Sequence, residues 1–135
     1  LFISKGFKEV KNYNISKLDG AISAHYGWLK DSLGNPRDYE LRFYENHSSA
    51  LDSINIIEEV IGKDAILASR DVSWKEGNSD RRVNRRGAGS GPGSAKAKYL
   101  YYLIYENVVI LCEGLDENES IELCNSIINK INLTN

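Results

Sequence analysis

The sequence is poor in the residue types from which metal and nucleophile sites are usually built. Its 135 residues contain two cysteines, two histidines and no methionine. Neither His25 nor His47 lies near a cysteine, so no metal-ligand spacing is present. The most apolar run, residues 99–112, is interrupted by Glu106 and Asn107 and is too short to span a membrane. We therefore expect no metal, no cofactor and no transmembrane segment, and a structural role for each histidine.

Phosphate-binding signatures are also lacking, although residues 79–98 suggest one at first sight. This stretch, SDRRVNRRGAGSGPGSAKAK, has four arginines followed by a glycine run. A phosphate loop requires Gly-Lys and then Ser or Thr, whereas Gly93 is followed by Ser94 and Ala95. No predicted strand leads directly into the run and no helix follows it, so the dinucleotide fingerprint is excluded as well. The arginines leave three interpretations open: an oxyanion or carboxylate site, ion pairs with nearby acids, or contact with a protein or lipid headgroup.

Positive charge is confined to one part of the chain. Residues 70–98 hold eight basic and three acidic side chains, a charge of +5, which leaves −7 on the remainder because the formal net charge is −2. The overall acidity argues against a nucleic-acid partner, since phosphate backbones are bound by basic surfaces. The local excess suits a small anionic ligand or an unknown protein partner, and a solvated loop could carry it too.

A strand–strand–helix pattern occurs first between residues 21 and 62. Aromatic and β-branched residues predict strands over 21–30 and 38–45, separated by a Gly, Asn and Pro turn. In the second strand, apolar residues alternate with more polar ones, so we expect one buried face and one wet face: Tyr39, Leu41 and Phe43 against Glu40, Arg42 and Tyr44. A helix over 48–62 follows, with isoleucines at helical spacing and a cap at Ser48 or Ser49.

The pattern recurs near the C-terminus and sets the predicted fold. Two apolar runs within 99–114 meet at a tight turn, and a helix follows in which Asp116 and Glu119 have capping-box spacing. Residues 1–20 supply an edge strand or an irregular cover. The prediction is a single α+β domain, 1–135, in which two tandem ββα units form an antiparallel four-stranded sheet with two helices on one face and a long connecting loop, 63–98.

The connecting loop carries the candidate binding site. The stretch WKEGNSDRR, residues 74–82, puts an aromatic ring beside acids and paired arginines. Trp74 either anchors the loop in the core or offers a stacking platform to a ligand, and Asp80 beside Arg81 can clamp the loop. No catalytic residue is assigned. The candidate ligand-binding residues are Trp74, Glu76, Asp80, Arg81, Arg82, Arg85 and Arg86.

The two cysteines favour an extracytoplasmic disulfide. Cys112 ends an apolar strand, and Cys124 lies on the apolar face of the next helix. Such positions can approach to the ~5.5 Å between Cα atoms that a disulfide needs. The alternative is two free buried thiols. Because the chain begins at Leu1 and lacks methionine, we expect a mature form from which a signal or lipid anchor has been removed.

Several stretches together resemble an uncharacterised family of small, secreted or lipid-anchored bacterial domains. They are AHYGW, ELRFYENHSSA, WKEGNSDRR and YLIYENVVILCEGLDENESIELC, which span most of residues 21–125. The resemblance implies a motif of Trp74, Glu76, Gly77, Asp80, Arg81 and Arg82, and a pairing of Cys112 with Cys124. It implies no activity. Arg85 and Arg86 look like a local elaboration outside the motif.

These observations give three functional hypotheses. The preferred one is a non-catalytic extracytoplasmic domain, periplasmic or secreted, that binds a partner or a small anionic ligand through loop 74–86. The second is a small hydrolase that uses Glu76 or Asp80 as base and an arginine as oxyanion stabiliser. The third is a structural subunit that oligomerises through the aromatic sheet face, where YLYYLIY places apolar side chains on both sides of the strand.

Overall fold

A computed structural model describes residues 2–62, 65, 66, 74 and 97–132. A short 3-10 turn at Ile3–Lys5 precedes five strands and three α-helices. In chain order they are β1 (Lys8–Asn12), β2 (Ala21–Lys30), β3 (Pro36–Tyr44), α1 (His47–Asp52), α2 (Ile54–Glu58), β4 (Tyr99–Tyr105), β5 (Val108–Glu113) and α3 (Glu117–Asn132). None of the helices in these ranges combines the length and the apolar character needed to cross a membrane.

The sheet has five antiparallel strands in the order β1-β2-β3-β5-β4, so the predicted four-stranded sheet is wrong. The additional strand is β1, which pairs with β2 at the edge. All five of its side chains are exposed, so KEVKN shows no alternation of apolar and polar residues. Gly27 lets β1 approach, because a Cβ there would lie 2.3 Å from the Lys8 carbonyl oxygen. Strand β1 therefore depends on backbone proximity and not on an apolar pattern.

The helices lie on opposite faces of the sheet, which corrects the prediction that both share one face. On the first face, α3 packs on residues of β3 and β5: Leu123, Cys124, Ile127 and Ile131 against Tyr39, Leu41, Val108 and Ile110. On the second face, α1 and α2 contribute Ala50 and Ile57 to a separate cluster with Val109 and Leu111. The sequence misleads here because Glu40 and Arg42 suggest a wet face, although both are fully buried.

Ser53 divides the first predicted helix into α1 and α2. Its Oγ donates to the carbonyl oxygen of Ala50 at 2.7 Å, and its backbone leaves the helical region at φ −88° and ψ 4°. A serine hydroxyl competes in this way for backbone groups that would otherwise extend the helix. The cap also differs from the expected Ser48 or Ser49, because the side chain of Asn46 accepts the Ser49 N–H at 2.8 Å. The first helical segment is thus two short helices.

The C-terminal unit follows the prediction more closely. Helix α3 has the predicted capping box, in which Asp116 accepts the Glu119 N–H at 2.8 Å and Glu119 accepts the Leu115 N–H at 3.0 Å. Cys112 on β5 and Cys124 on α3 form a disulfide with their Cα atoms 5.7 Å apart. The disulfide joins α3 covalently to β5, an interior strand of the sheet.

Candidate functional site

Of the predicted ligand-binding residues, the structure describes Trp74. The other six, Glu76, Asp80, Arg81, Arg82, Arg85 and Arg86, lie outside the described residues. Trp74 is 3% exposed and belongs to the core cluster on the second face of the sheet. Its indole Nε1 donates to the Asn14 carbonyl oxygen at 2.9 Å, and its ring packs edge-to-face on Tyr13. In this position Trp74 anchors the start of loop 74–86 in the core.

A buried ion pair lies beneath Trp74. Arg42 Nε donates to Glu40 Oε2 at 2.6 Å, and both side chains are almost completely buried. The guanidinium carbon of Arg42 is 4.7 Å from the centroid of the Trp74 ring, within the range of a cation–π contact. The charge of Arg42 is therefore stabilised by a carboxylate beside it on β3 and by an aromatic face above it.

A second polar cluster occupies the same face of the sheet, around Lys98. Lys98 Nζ donates to Asp38 Oδ2 at 2.6 Å and to the Tyr26 hydroxyl at 3.0 Å, and the Tyr26 hydroxyl donates to Asp38 at 2.7 Å. Burial lowers the pKa of Lys98, but the hydrogen bonds to Asp38 and Tyr26 outweigh it, so this pKa is raised. Burial also raises the pKa of Tyr26, against the opposing hydrogen bond from Lys98. Lys98 is therefore held as a cation within the fold.

The first face carries a cavity of about 450 Å³. It lies between the N-terminal segment, the neighbouring strands β2 and β3, and the turn that joins β4 to β5. Most of its wall is apolar and aromatic, and its polar groups are confined to a few positions. The lining residues are Phe2, Ile3, Phe7, Glu9, His25, Leu41, Phe43, Tyr105, Glu106, Asn107 and Val108. A volume in this range, about 300–1,000 Å³, is typical of small-molecule sites.

His25 forms the centre of a polar series beside this cavity. Its Nδ1 contacts Glu9 Oε1, and its Nε2 lies 2.9 Å from Ser23 Oγ. The ring also packs edge-to-face on Phe43. Glu9 is on β1 and His25 is on β2, so this contact ties the edge strand to its neighbour. The same order of groups, hydroxyl–imidazole–carboxylate, is the one used by nucleophilic hydrolases.

The turn between β4 and β5 supplies the rest of the polar wall. Glu106 takes a left-handed conformation at φ 55°, and its carbonyl oxygen accepts a hydrogen bond from His47 Nδ1 at 2.6 Å. The side-chain amide of Asn107 donates to the Tyr44 carbonyl oxygen at 2.9 Å. These bonds hold the turn against β3 and the start of α1.

A family of unknown function, DUF6810, matches residues 1–133. The chain belongs to this family. The match confirms membership of an uncharacterised family; the motif and the secreted or lipid-anchored character stay predictions. No curated protein and no solved structure matches the chain. Among the residues that the structure describes, no group of three or more His, Cys, Asp or Glu side chains could hold a metal ion.

The sequence did not point to the cavity as a site. Glu9 and His25 are 16 residues apart, and their contact depends on the β1–β2 pairing, which has no hydrophobic pattern. The aromatic strand β4 packs on both sides, with Leu103 and Tyr105 against the first cluster and Tyr102 and Ile104 against the second. Tyr101 is 36% exposed. Oligomerisation through this strand stays a prediction.

Proposed function

We propose that this chain is an extracytoplasmic binding domain whose cavity on the first face receives an apolar group of a small molecule. The observation that carries the proposal is the 450 Å³ cavity, whose mainly apolar lining includes the polar residues Glu9, His25 and Glu106. Burial of a phenyl-sized group, about 150 Å², contributes on the order of 3–4 kcal/mol before the cost of immobilising the ligand. Burial of the phenyl group alone therefore accounts for binding in about the millimolar range.

A neutral fluorescent probe, N-phenyl-1-naphthylamine, tests the cavity. Its emission should rise on binding, and Ile3→Asp should weaken binding about tenfold, because a charged side chain would replace apolar contact area on the cavity wall. Ile3 is 70% exposed, so the substitution leaves the core intact. Leu33→Asp is the matched control, since Leu33 is 83% exposed and lies outside the cavity. Equal binding by both variants would remove the cavity from consideration.

We also propose that loop 74–86 is a second contact surface, for an anionic ligand or partner. The packing of Trp74 on Arg42 supports the proposal, because it fixes the first residue of this stretch in the core. Arg81→Ala/Arg82→Ala should weaken the binding of citrate or inorganic phosphate, measured by calorimetry, with the thermal midpoint nearly unchanged. If the double variant unfolds instead, the two arginines are structural.

A hydrolase is the second candidate, favoured by the Ser23–His25–Glu9 series. In that case Ser23 Oγ attacks an ester carbonyl, and its proton passes through His25 Nε2 to the departing alcohol. Water then releases the acid by the same route, and Glu9 orients the ring. The set differs from the Glu76 or Asp80 base of the sequence hypothesis, which lies outside the described residues.

A fluorophosphonate probe followed by peptide mass spectrometry tests the hydrolase. Phosphonylation of Ser23, lost in His25→Asn and reduced in Glu9→Gln, is the expected result. An unmodified Ser23 in the folded protein would eliminate this candidate and leave the binding proposal in place.

A further inference from the structure

The charges on the cavity wall are of one sign. Two of its lining residues are acids, Glu9 and Glu106, and the set contains no lysine or arginine. Among the lining residues, only the His25 side chain can carry a positive charge. This composition differs from that of residues 70–98, where the positive charge of the chain is concentrated. The cavity therefore presents a negative rim beside an apolar interior.

The carboxylates of Glu9 and Glu106 differ in their ion pairing. Glu9 contacts His25 through Oε1. The Glu106 side chain has no ion pair with any residue in the described ranges. Glu106 lines the cavity from the tight turn, and its carbonyl oxygen accepts a hydrogen bond from His47, so the residue stays at the rim. A cation that enters the cavity would find at least one carboxylate available at the mouth.

The interior complements such a cation with aromatic side chains. Phe2, Phe7 and Phe43 form a packed group in which Phe2 contacts both of the others edge-to-face, at 6.5 and 5.8 Å between ring centroids. Aromatic rings accommodate an apolar group and also attract a cationic one that approaches their faces. An anionic head group would instead lie beside two carboxylates and would be repelled.

We propose that the ligand of this cavity is a small apolar amine, bound as its ammonium ion, with the apolar part among the phenylalanines and the ammonium beside Glu106 and Glu9. This inference rests on the proposed binding function, because it names the chemical class that the cavity takes.

Displacement of N-phenyl-1-naphthylamine by three matched compounds tests the proposal. They are 2-phenylethylamine, 2-phenylethanol and 3-phenylpropanoate, which share a phenyl group and differ in the charge at the end of a short chain. At pH 7 we expect the amine to displace the probe about tenfold more effectively than the alcohol, and the carboxylate to be the weakest. Raising the ionic strength from about 0.05 to 0.5 M should reduce the amine preference, because the rim carboxylates are near solvent.

Glu106→Gln should reduce the preference for the amine over the alcohol to about twofold, because the ammonium loses one of the two carboxylates beside it. Glu122→Gln is the matched control, since Glu122 is an exposed acid on α3 outside the cavity. If the probe does not bind, the proposed function fails and the inference fails with it. If the probe binds but the amine and the alcohol displace it equally, the inference of an amine ligand is wrong and the proposed binding function is kept. The same conclusion follows if Glu106→Gln keeps the full preference for the amine.

Discussion

At the scale of single residues, the second face of the sheet shows how charged side chains can serve as core. Glu40 and Arg42 are adjacent positions on that face of β3, and each is 0% exposed. A buried charge is tolerated when it is paired and hydrogen-bonded, whereas loss of one partner leaves the other desolvated without compensation. The Trp74 ring lies over the guanidinium of Arg42, so the packing of Trp74 and the Glu40–Arg42 ion pair stabilise each other.

Arg42→Met should destabilise the protein by about 3–5 kcal/mol, because Glu40 would remain buried without its cation. Glu40→Gln in the Arg42→Met background should recover a large part of that loss, since it removes the stranded charge. Urea unfolding of the two single variants and the double variant gives the coupling energy. If the free-energy changes of the two single variants simply add up to that of the double variant, Glu40 and Arg42 do not stabilise the fold as a pair.

Lys98 and Tyr26 make the fold sensitive to high pH. Both pKa values are raised in the folded state, so above about pH 10 the folded chain holds more protons than the unfolded one. The stabilisation that Lys98 gives to the fold is fully present below the pKa of lysine in the unfolded chain, about 10.4. It is lost as pH rises through the pKa of Lys98 in the folded state. The urea midpoint should therefore fall between pH 10 and 12, and Lys98→Met should flatten that fall. An unchanged slope in the variant would contradict this account.

At the scale of elements, the sequence predicts the strands and helices that have apolar periodicity and misses what depends on backbone geometry. The predicted strand 21–30 coincides with β2, and the predicted capping box of α3 is present. An edge strand within residues 1–20 is one of two predicted alternatives and is not counted in the predicted sheet, because no side chain of β1 is buried and no apolar pattern marks it. The prediction that both helices share one face is wrong because the charged residues Glu40 and Arg42 suggest a solvated face. In the structure they form a buried ion pair with each other. The cavity could not be predicted, since its polar wall joins β1, β2 and a distant turn.

Gly27→Ala should loosen β1 from the sheet. A Cβ at this position would lie 2.3 Å from the Lys8 carbonyl oxygen and 2.5 Å from the Phe7 ring, so the edge strand has to move. We expect faster hydrogen exchange at the β1 amides and a loss of about 1–3 kcal/mol in the free energy of unfolding.

Gly34→Ala is the control for that experiment. Gly34 has φ 84° in the β2–β3 turn and nothing within 4 Å of an added Cβ. Its substitution should cost about 1 kcal/mol from backbone strain and leave exchange in β1 unaffected. If the β1 amides exchange hydrogen at the same rate in both variants, the lack of a side chain at Gly27 is not what allows β1 to pair with β2.

At the scale of the whole molecule, two separate core clusters enclose the sheet, and one of them has a covalent link. The Cys112–Cys124 disulfide joins the sheet to α3, while the described part of the opposite layer is held by packing of α1, α2 and Trp74. Both sulfurs belong to fully buried residues. The two layers therefore differ in how they respond to reducing conditions.

Loss of the disulfide, in Cys112→Ala/Cys124→Ala, should lower the free energy of unfolding by about 3 kcal/mol, as expected for closure of a loop of this length. Urea unfolding measures the change. Alkylation of the protein without reductant, followed by mass spectrometry, should find neither cysteine modified. Two labelled thiols would contradict the disulfide and the extracytoplasmic proposal that relies on it.

The burial of both sheet faces also has a consequence for how the sequence can vary. All six residues of β5 are buried, whereas all five residues of β1 are exposed. A strand with one wet face tolerates replacement at every second position, but β5 has no such position. A saturation mutagenesis map should therefore show intolerance throughout β5 without a period of two, and tolerance of side-chain replacement in β1 outside Glu9. Within the family, the strand that carries Cys112 should change slowly, and β1 should vary at the positions around Glu9.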